Sequence, residues 1–401
     1  MSPAIAALGL TTLVQVGVSL LQQAPAAMGP LLVQELGVSR AQLGLLTSAI
    51  WGGMLLGALP AGVLVDRHGE RRAVGIGVFA MAMLALVASF APNFATMFVL
   101  FLAASIGAAL VSPGGARALV AWVPRRRLGL ALSVRQTGVM LGGLLGALML
   151  PPVALLTGWR TAFRVAAILA IGCVVLFALA YREPPGVARH GAPLKLRSLR
   201  HNRPWLAATA YGFVFMGVQG VAVSYLALYL HQGGGLTVVA AADLLAVLQL
   251  GGLVGRLATG FGGDRLARRA PLMVLLGVVA TLAAVGFSFA GPGTPLALLG
   301  ALSFLLGVSG LGWNALAITV ISEAVPSDAT ATATGAGISI AFSAMFVISP
   351  LFGLLTDRQG GYALSWAALA GWCVLGTLSA LLIREGKVAS GGARPPGVPV
   401  T

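Results

Sequence analysis

The fold of this chain is decided by the segment Gly62-Val63-Leu64-Val65-Asp66-Arg67-His68-Gly69-Glu70-Arg71-Arg72. A degenerate copy returns as Gly260-Phe261-Gly262-Gly263-Asp264-Arg265-Leu266-Ala267-Arg268-Arg269. Each copy places a glycine four residues before an Asp-Arg pair and a basic doublet after it, and close to half of the 401-residue chain separates the two. Internal symmetry of this kind is expected where two helical bundles rock about a site at their interface. The repeat therefore predicts two similar halves.

The composition excludes a soluble protein. Hydrophobic residues make up 58% of the chain and charged residues only 9%, and the mean hydropathy is +0.96. A soluble domain carries about 25% charged residues, because its surface must face water. The apolar residues also lie in long, nearly uncharged runs, each able to cross a hydrocarbon core about 30 Å thick. An all-α membrane protein is therefore predicted.

Apolar runs of spanning length can be placed twelve times along the chain, which predicts twelve transmembrane helices in two pseudo-symmetric six-helix bundles. Turn-forming residues mark the breaks between runs, as in Ala91-Pro92-Asn93. The runs cover residues 5–32, 42–65, 73–90, 95–123, 128–156, 161–181, 205–230, 238–261, 271–290, 295–321, 329–355 and 362–383. No basic segment precedes the first run, so we expect it to be a transmembrane helix and not a cleaved signal peptide.

The basic residues predict the orientation. With the N-terminus in the cytoplasm, only Arg40, Arg160, Arg164 and Arg358 remain outside, and the other loop arginines and lysines fall on the cytoplasmic side. This asymmetry satisfies the positive-inside rule. It predicts a multi-pass protein of the inner (plasma) membrane with both termini cytoplasmic. It also accounts for the net charge of +15 without a nucleic-acid partner.

Two polar segments divide the chain. Residues 182–204 are basic and contain Pro184-Pro185, which is typical of a linker, and the end of the chain is rich in Gly, Pro and Ser, which is typical of a disordered tail. We therefore expect a six-helix bundle at residues 1–181, a cytoplasmic linker at 182–204, a second six-helix bundle at 205–384 and a disordered cytoplasmic tail at 385–401.

These features resemble the major facilitator superfamily over essentially the whole chain. The family's loop signature is Gly-x-Leu-x-Asp-Arg-x-Gly followed by basic residues, and the matching positions are Gly62, Leu64, Asp66, Arg67, Gly69 and Arg71. Glu70 departs from the pattern, since that position is usually basic in the family. The resemblance implies that the motif lies at the cytoplasmic gate. It also implies charge networks there, for which the candidates are Arg117, Arg256, Asp264, Arg265 and Glu323.

Arg135 is the deepest charge within the spans, and intramembrane charge points to function by default. It either faces the cavity, attracting an anionic group while Gln136 donates hydrogen bonds, or snorkels or pairs with a neighbouring helix. The resemblance favours Gln136, because sugar transporters of this superfamily carry a cavity glutamine at a similar place. Spans one, four, seven and ten line the cavity in this fold, which adds the candidates Gln15, Gln22, Gln219, Tyr225, Trp313 and Asn314. Such side chains also serve as interhelical hydrogen bonds.

The expected function is secondary active transport of a small organic solute by alternating access. Arg135, together with the lack of a deep carboxylate, favours an anionic or polar solute. The expected partners are the solute, the bilayer and a coupling proton or other ion, and the protein is expected to be a monomer without a cofactor or metal. No phosphate-cradling or catalytic motif appears, so neither ATP drive nor an enzyme is expected. The alternatives are an exporter of hydrophobic drug-like compounds and a non-transporting membrane receptor with the same fold.

Overall fold

The computed structural model describes residues 2–183, 199, 201–265, 269–325 and 330–383. These residues form helices and no strand, as predicted. The helices are α1 (Pro3–Ala27), α2 (Gly29–Leu36), α3 (Arg40–His68), α4 (Glu70–Ala88), α5 (Phe94–Ala108), α6 (Val111–Trp122), α7 (Arg125–Thr157), α8 (Trp159–Ala180), α9 (Arg203–Gln232), α10 (Val238–Arg265), α11 (Ala270–Phe289), α12 (Leu296–Gly312), α13 (Asn314–Glu323), α14 (Thr330–Gln359) and α15 (Ala363–Leu381).

Twelve segments of the described chain are long and apolar enough to cross a membrane, which confirms the predicted fold class. The fourth span joins α5 to α6, and the tenth joins α12 to α13. Large apolar side chains such as Leu156 and Phe289, both 86% exposed, cover the outside of the bundle, as a lipid-facing surface requires. The predicted linker lies in part, and the predicted tail wholly, outside the described residues, so the domain boundaries stay a prediction.

Three predicted spans contain a break that the hydropathy pattern does not show. The first is interrupted at Met28, the fourth at Ala109-Leu110 and the tenth at Trp313. Proline explains two of these breaks, because its ring clashes with the carbonyl four residues earlier: Pro30 follows the first break and Pro113 the second. Gly310 and Gly312 precede the break at Trp313, and glycine pairs commonly mark sharp kinks.

Local signals fix where the long helices begin and end. Ser39 and Gln42 form a capping box at the start of α3, where the Ser39 hydroxyl accepts from the Gln42 amide at 3.2 Å. Gly69 separates α3 from α4 with φ of 81°, and Gly158 separates α7 from α8 with φ of 87°. Side-chain-bearing residues rarely adopt this left-handed region, so both tight turns depend on glycine.

Small residues allow the helices to approach closely. Gly138 and Gly142 of α7 face α1, where an added Cβ would press on Gln15 and on the α1 backbone. The glycine stripe of the fifth span therefore marks helix packing, as small residues in membrane helices commonly do. Between the halves, α3 packs on α14, α7 on α10 and α1 on α9. These pairs enclose the space in which the candidate site lies.

Candidate functional site

A partly enclosed cavity, about 790 Å³ including the space open to solvent, lies between the two halves. Helices α1, α3, α6 and α7 of the first half and α9, α10, α13 and α14 of the second contribute side chains to its wall. Polar groups follow one another around this wall. They are Gln15, Ser19, Gln22, Ser112, Gln136, Gln219, Arg256 and Asn314.

The breaks in the fourth and tenth spans lie beside this wall. Val111 and Ser112 begin α6, Asn314 begins α13, and all three line the cavity. Discontinuous helices near the middle of a membrane protein expose backbone groups that water or a ligand can reach. The breaks therefore place polar backbone at the centre of the protein.

Arg256 is the cation of the cavity wall. Its Nε donates to the carbonyl oxygen of Leu311 at 3.2 Å, and its Nη1 reaches the carbonyl oxygen of Gln136 across the interface at 3.4 Å. Both partners are neutral, and no ion pair joins Arg256 to a carboxylate of the described residues. Within the part of the chain that the structure describes, the guanidinium thus faces the cavity without a carboxylate partner.

Arg135 lies behind the wall, is only 2% exposed and is not among the lining residues. Its Nη2 donates to the carbonyl oxygen of Val111 at 2.7 Å and to Oε1 of Gln15 at 3.2 Å. Gly115 leaves the room that the guanidinium fills. Gln15 in turn donates from Nε2 to the Ser19 hydroxyl at 3.2 Å. Arg135 is therefore in contact with the cavity-lining Gln15 and does not line the cavity itself.

The other lining amides keep free hydrogen-bonding capacity. Gln219 is 6% exposed, and its Oε1 has no hydrogen-bond partner within the described structure. The Nε2 of Gln22 donates to the Met54 sulfur at 3.0 Å, and a thioether sulfur is a weak acceptor. A ligand that offers hydroxyl or carbonyl groups would satisfy these amides better than their present neighbours do.

Tyr225 and Trp313 are not among the lining residues. The Tyr225 hydroxyl donates to the carbonyl oxygen of Arg40 at 2.8 Å and so joins α9 to the other half. Trp313 is 3% exposed and packs edge-on against Tyr211, with ring centroids 6.5 Å apart. The structure places both aromatic residues in the packing around the cavity.

An aromatic pair closes the cavity toward one end of the protein. Trp51 of α3 and Phe342 of α14 stack across the interface with centroids 5.6 Å apart and an interplanar angle of 21°, and both line the cavity. Farther along the same two helices, the Ser48 hydroxyl donates to the carbonyl oxygen of Met345 at 3.3 Å. The cavity is therefore sealed where α3 begins and α14 ends.

Asp357 completes this seal from the opposite half. Its carboxylate accepts from the backbone amides of Arg40 at 3.2 Å and Ala41 at 2.9 Å, in the first turn of α3, and it pairs with the Arg40 guanidinium at 3.6 Å. A carboxylate at a helix N-terminus gains from both the free amides and the helix dipole. We call the contacts among Arg40, Asp357, Tyr225, Tyr362 and Gln232 the end seal.

The end seal includes a tyrosine that serves as a fixed donor. The Tyr362 hydroxyl donates to Oε1 of Gln232 at 2.7 Å and accepts from Nε of Arg40 at 3.2 Å. Burial raises the pKa of Tyr362 to about 12, although the Arg40 charge opposes that shift. The hydroxyl therefore stays protonated over the physiological pH range.

The motif residues at the other end of the protein form a cluster within the first half. Arg117 pairs with Asp66 at 2.9 Å and with Glu70 at 3.0 Å, and the Tyr181 hydroxyl donates to Glu70 at 2.8 Å. Burial, reinforced by the Glu70 carboxylate, raises the pKa of Tyr181 and keeps it a donor. Glu70, 2% exposed, contacts both the fourth span through Arg117 and the end of the sixth span through Tyr181.

The remaining motif residues are placed as follows. The Arg71 amide donates to Glu183 at 2.8 Å, and Nε of Arg71 donates to the carbonyl oxygen of Ala178 at 2.7 Å. Arg67 is exposed, and Gly62 has open space around it. In the second half, Glu323 pairs with Arg269 at 2.5 Å. Asp264 and Arg265 end α10, and their side chains lie outside the described part of the structure.

Several residues of the site were absent from the sequence predictions. Ser19, Ser112, Trp51 and Phe342 line the cavity, and Asp357 seals it. A signal for Asp357 exists, because Gly353-Leu354-Leu355-Thr356-Asp357-Arg358 repeats the spacing of a glycine four residues before an Asp-Arg pair. Among the described residues, no group of three His, Cys, Asp or Glu side chains could hold a metal ion.

Comparison with known proteins gives consistent matches. The family model described as Major Facilitator Superfamily matches residues 11–350. The membrane sensor protein UhpC of Salmonella typhimurium is 26% identical over 74% of this chain and 73% of its own length. The gallate transporter of Pseudomonas putida is 28% identical over 59% of this chain and 61% of its own. The probable sulfoacetate transporter SauU of Cupriavidus necator is 24% identical over 88% of this chain and 87% of its own length.

A solved structure shares the fold. It is the inward-facing, unoccupied form of a bacterial homologue of the human lysosomal transporter Spinster, with a TM-score of 0.77 at 17% identity. The match covers 95% of this chain and 98% of that chain.

Proposed function

This chain belongs to the major facilitator superfamily, and we propose that it is a secondary transporter that moves a small organic anion across the bilayer by alternating access. It is a multi-pass membrane transporter and not an enzyme. The solute, the direction and the role of each cavity residue belong to the proposal, as does action as a monomer.

The observation that carries the proposal is the charge of Arg256, without a carboxylate partner among the described residues, in a cavity between the two halves. A charge at membrane depth costs several kcal/mol, which an anionic ligand would offset by direct pairing. The unpartnered Oε1 of Gln219 and the Gln22 amide, which has a weak sulfur acceptor, suit the hydroxyl or carbonyl groups of an organic acid. Two of the relatives are named as transporters of organic acids, gallate and sulfoacetate, which supports the same class of solute.

The end seal suggests the conformational state. If the basic loops lie in the cytoplasm, Arg40 and Asp357 lie on the outer side, and the cavity is closed toward the outside. The proposed state is therefore inward-facing, with both termini cytoplasmic. In this state Arg117 pairs with carboxylates of the first half, and Glu323 pairs with Arg269 of the second half. No described ion pair therefore bridges the two halves at the cytoplasmic end.

Two alternative functions are each supported by one observation. The apolar part of the wall, including Trp51, Met54 and Phe342, suits a hydrophobic compound and hence a drug-like exporter. The relative named as a membrane sensor suits a receptor that binds without transporting. The positive charge of Arg256 favours an anionic solute over a neutral drug. Measurable transport would distinguish a carrier from a receptor that only binds.

Uptake into proteoliposomes tests the proposal. The probes are radiolabelled gallate, benzoate, sulfoacetate and gluconate, which vary the body of the solute; sulfoacetate carries a sulfonate beside its carboxylate, and the other three carry one carboxylate each. We expect saturable uptake of at least one acid, and at least a tenfold loss of that uptake in Arg256→Gln. Arg203→Gln, at an exposed arginine that begins α9, serves as the matched control. Absence of uptake for all four acids, or equal uptake by Arg256→Gln, would overturn the proposal.

A further inference from the structure

Among the described residues of the cavity wall, one side chain is ionisable. Eighteen described residues line the cavity, and they are amides, hydroxyls, small residues and apolar residues, apart from Arg256. The described histidines, His68, His201 and His231, are not among the lining residues. Arginine keeps its proton in proteins, whereas a carboxylate or imidazole can release one. The described wall therefore offers no group that could bind and release a proton during a transport cycle.

The positive charge near the cavity is not balanced by a described carboxylate. Arg256 contacts the carbonyl oxygens of Leu311 and Gln136, and Arg135 contacts the carbonyl oxygen of Val111 and the amide of Gln15. All four partners are neutral. Asp243, near the start of α10, is exposed and does not line the cavity.

A fixed positive charge has a consequence for alternating access. To pass from one open state to the other, the transporter must enclose the cavity, and an empty cavity would then hold Arg256 away from bulk water without a counter-charge. Removing an unpaired charge from water costs several kcal/mol even after relaxation. A bound anion supplies the missing charge and lowers that cost. The loaded protein should therefore change conformation much faster than the empty one.

From this charge arrangement we infer that the transporter is an anion exchanger, in which one organic anion leaves for each anion of equal charge that enters. The inference rests on the proposed function and adds the mode of coupling to it. Charge balances in each cycle, because the protein carries an anion in both directions. A proton gradient is not required, and net uptake without a counter-anion is slow.

The experiment compares three kinds of proteoliposome with the membrane potential clamped by potassium and valinomycin. One kind contains no organic acid, one contains 5 mM (about a hundred times the external concentration) of the acid under test, and one is empty with an inward proton gradient. The probes are gallate, benzoate, sulfoacetate and gluconate. We expect at least tenfold faster initial uptake into the preloaded vesicles than into either empty kind.

The outcomes separate the two proposals. Fast uptake into empty vesicles, with or without the proton gradient, would overturn the exchange mechanism and leave the transport of organic anions standing. No uptake of any of the four acids under any condition would overturn both proposals together.

A designed carboxylate provides a second measurement. Asn314 lines the same cavity as Arg256, and Asn314→Asp is nearly isosteric. The added carboxylate supplies an internal counter-charge, so the empty protein should change conformation more readily. We expect the ratio of exchange to net uptake to fall at least threefold in Asn314→Asp, whereas the control Arg203→Gln, at an exposed position outside the cavity, keeps the parent ratio. An unchanged ratio in a folded Asn314→Asp protein would contradict the charge argument.

Discussion

Arg135 and Arg256 make equivalent contacts in opposite halves, because each donates to a backbone carbonyl beside a break in a discontinuous span. Arg135 binds the oxygen of Val111 at 2.7 Å, next to the break in the fourth span, and Arg256 binds the oxygen of Leu311 at 3.2 Å, next to the break in the tenth. The last carbonyls of a helix have no helical partner, which accounts for the bond to Leu311 at the end of α12, whereas Val111 lies at the start of α6. The difference lies in exposure, since Arg256 lines the cavity and Arg135 does not.

Replacing Arg135 by methionine should lower both the stability of the protein and, indirectly, its affinity for the solute. The change removes the donor to Val111 and the group that orients Gln15, so we expect a loss of stability of about 1–3 kcal/mol. The affinity for the transported acid should fall several-fold, since Gln15 no longer presents one fixed amide orientation. Thermal unfolding and the concentration dependence of uptake measure the two effects. An affinity loss as large as that of Arg256→Gln would instead place Arg135 in direct contact with the solute.

Neutralising Asp357 should weaken the end seal. Asp357→Asn loses the ion pair with Arg40 and the charged acceptor at the start of α3. We expect the two losses together to cost about 1–2 kcal/mol. The fraction of molecules in which the end seal is open should rise about tenfold. Modification of Ser48→Cys by a membrane-impermeant maleimide reports this opening, because Ser48 is fully buried there.

The control for this measurement is Asp243→Asn, which removes an exposed carboxylate from α10. It should leave the labelling rate of Ser48→Cys unchanged. If Asp357→Asn also leaves the rate unchanged, Asp357 does not hold the two halves together.

Glu70 and Tyr181 should be energetically coupled. Their hydrogen bond of 2.8 Å has a charged acceptor, for which a contribution of about 1.5–3 kcal/mol is expected. Thermal unfolding of Glu70→Gln, Tyr181→Phe and the double variant tests the coupling. We expect the double variant to lose less stability than the sum of the single variants. Additive losses would show that the contact contributes little.

Close helix packing predicts different tolerance at two glycines. In Gly53→Ala the new Cβ would collide with the backbone carbonyl of Leu102, where α3 meets α5, so the thermal midpoint should drop by an amount equivalent to about 1–3 kcal/mol. Gly172→Ala in α8 is the matched control, because no atom lies within 4 Å of its added Cβ. Equal midpoints for the two variants would contradict the observed approach of α3 and α5.

The repeated turn and the hydropathy pattern were sufficient to predict the fold class, since span number follows from run length and polarity. The breaks at Met28, Ala109-Leu110 and Trp313 were not predicted, because a hydropathy pattern averages over the residues that interrupt a helix. Pro113 carried the relevant local signal within the fourth span.

The candidate site was predictable only in part. Five of the eight proposed solute contacts line the cavity, because a glutamine or asparagine on a membrane helix tends to face the protein interior; they are Gln15, Gln22, Gln136, Gln219 and Asn314. Depth within a span could not decide which arginine reaches the cavity, since that depends on helix rotation and neighbouring side chains. The end seal joins residues more than 300 positions apart, Arg40 and Asp357, a pairing that a single sequence does not reveal.

The central claim is that the fixed positive charge of Arg256 binds the acidic group of the solute. Calorimetric titration of the detergent-purified protein with gallate, benzoate, sulfoacetate and gluconate tests it most directly, with Arg256→Lys and Arg256→Gln measured alongside the parent. We expect measurable binding of at least one acid, a modest loss of affinity in Arg256→Lys and at least a tenfold loss of affinity in Arg256→Gln. Equal dissociation constants for the parent and Arg256→Gln, or no binding of any acid, would contradict it.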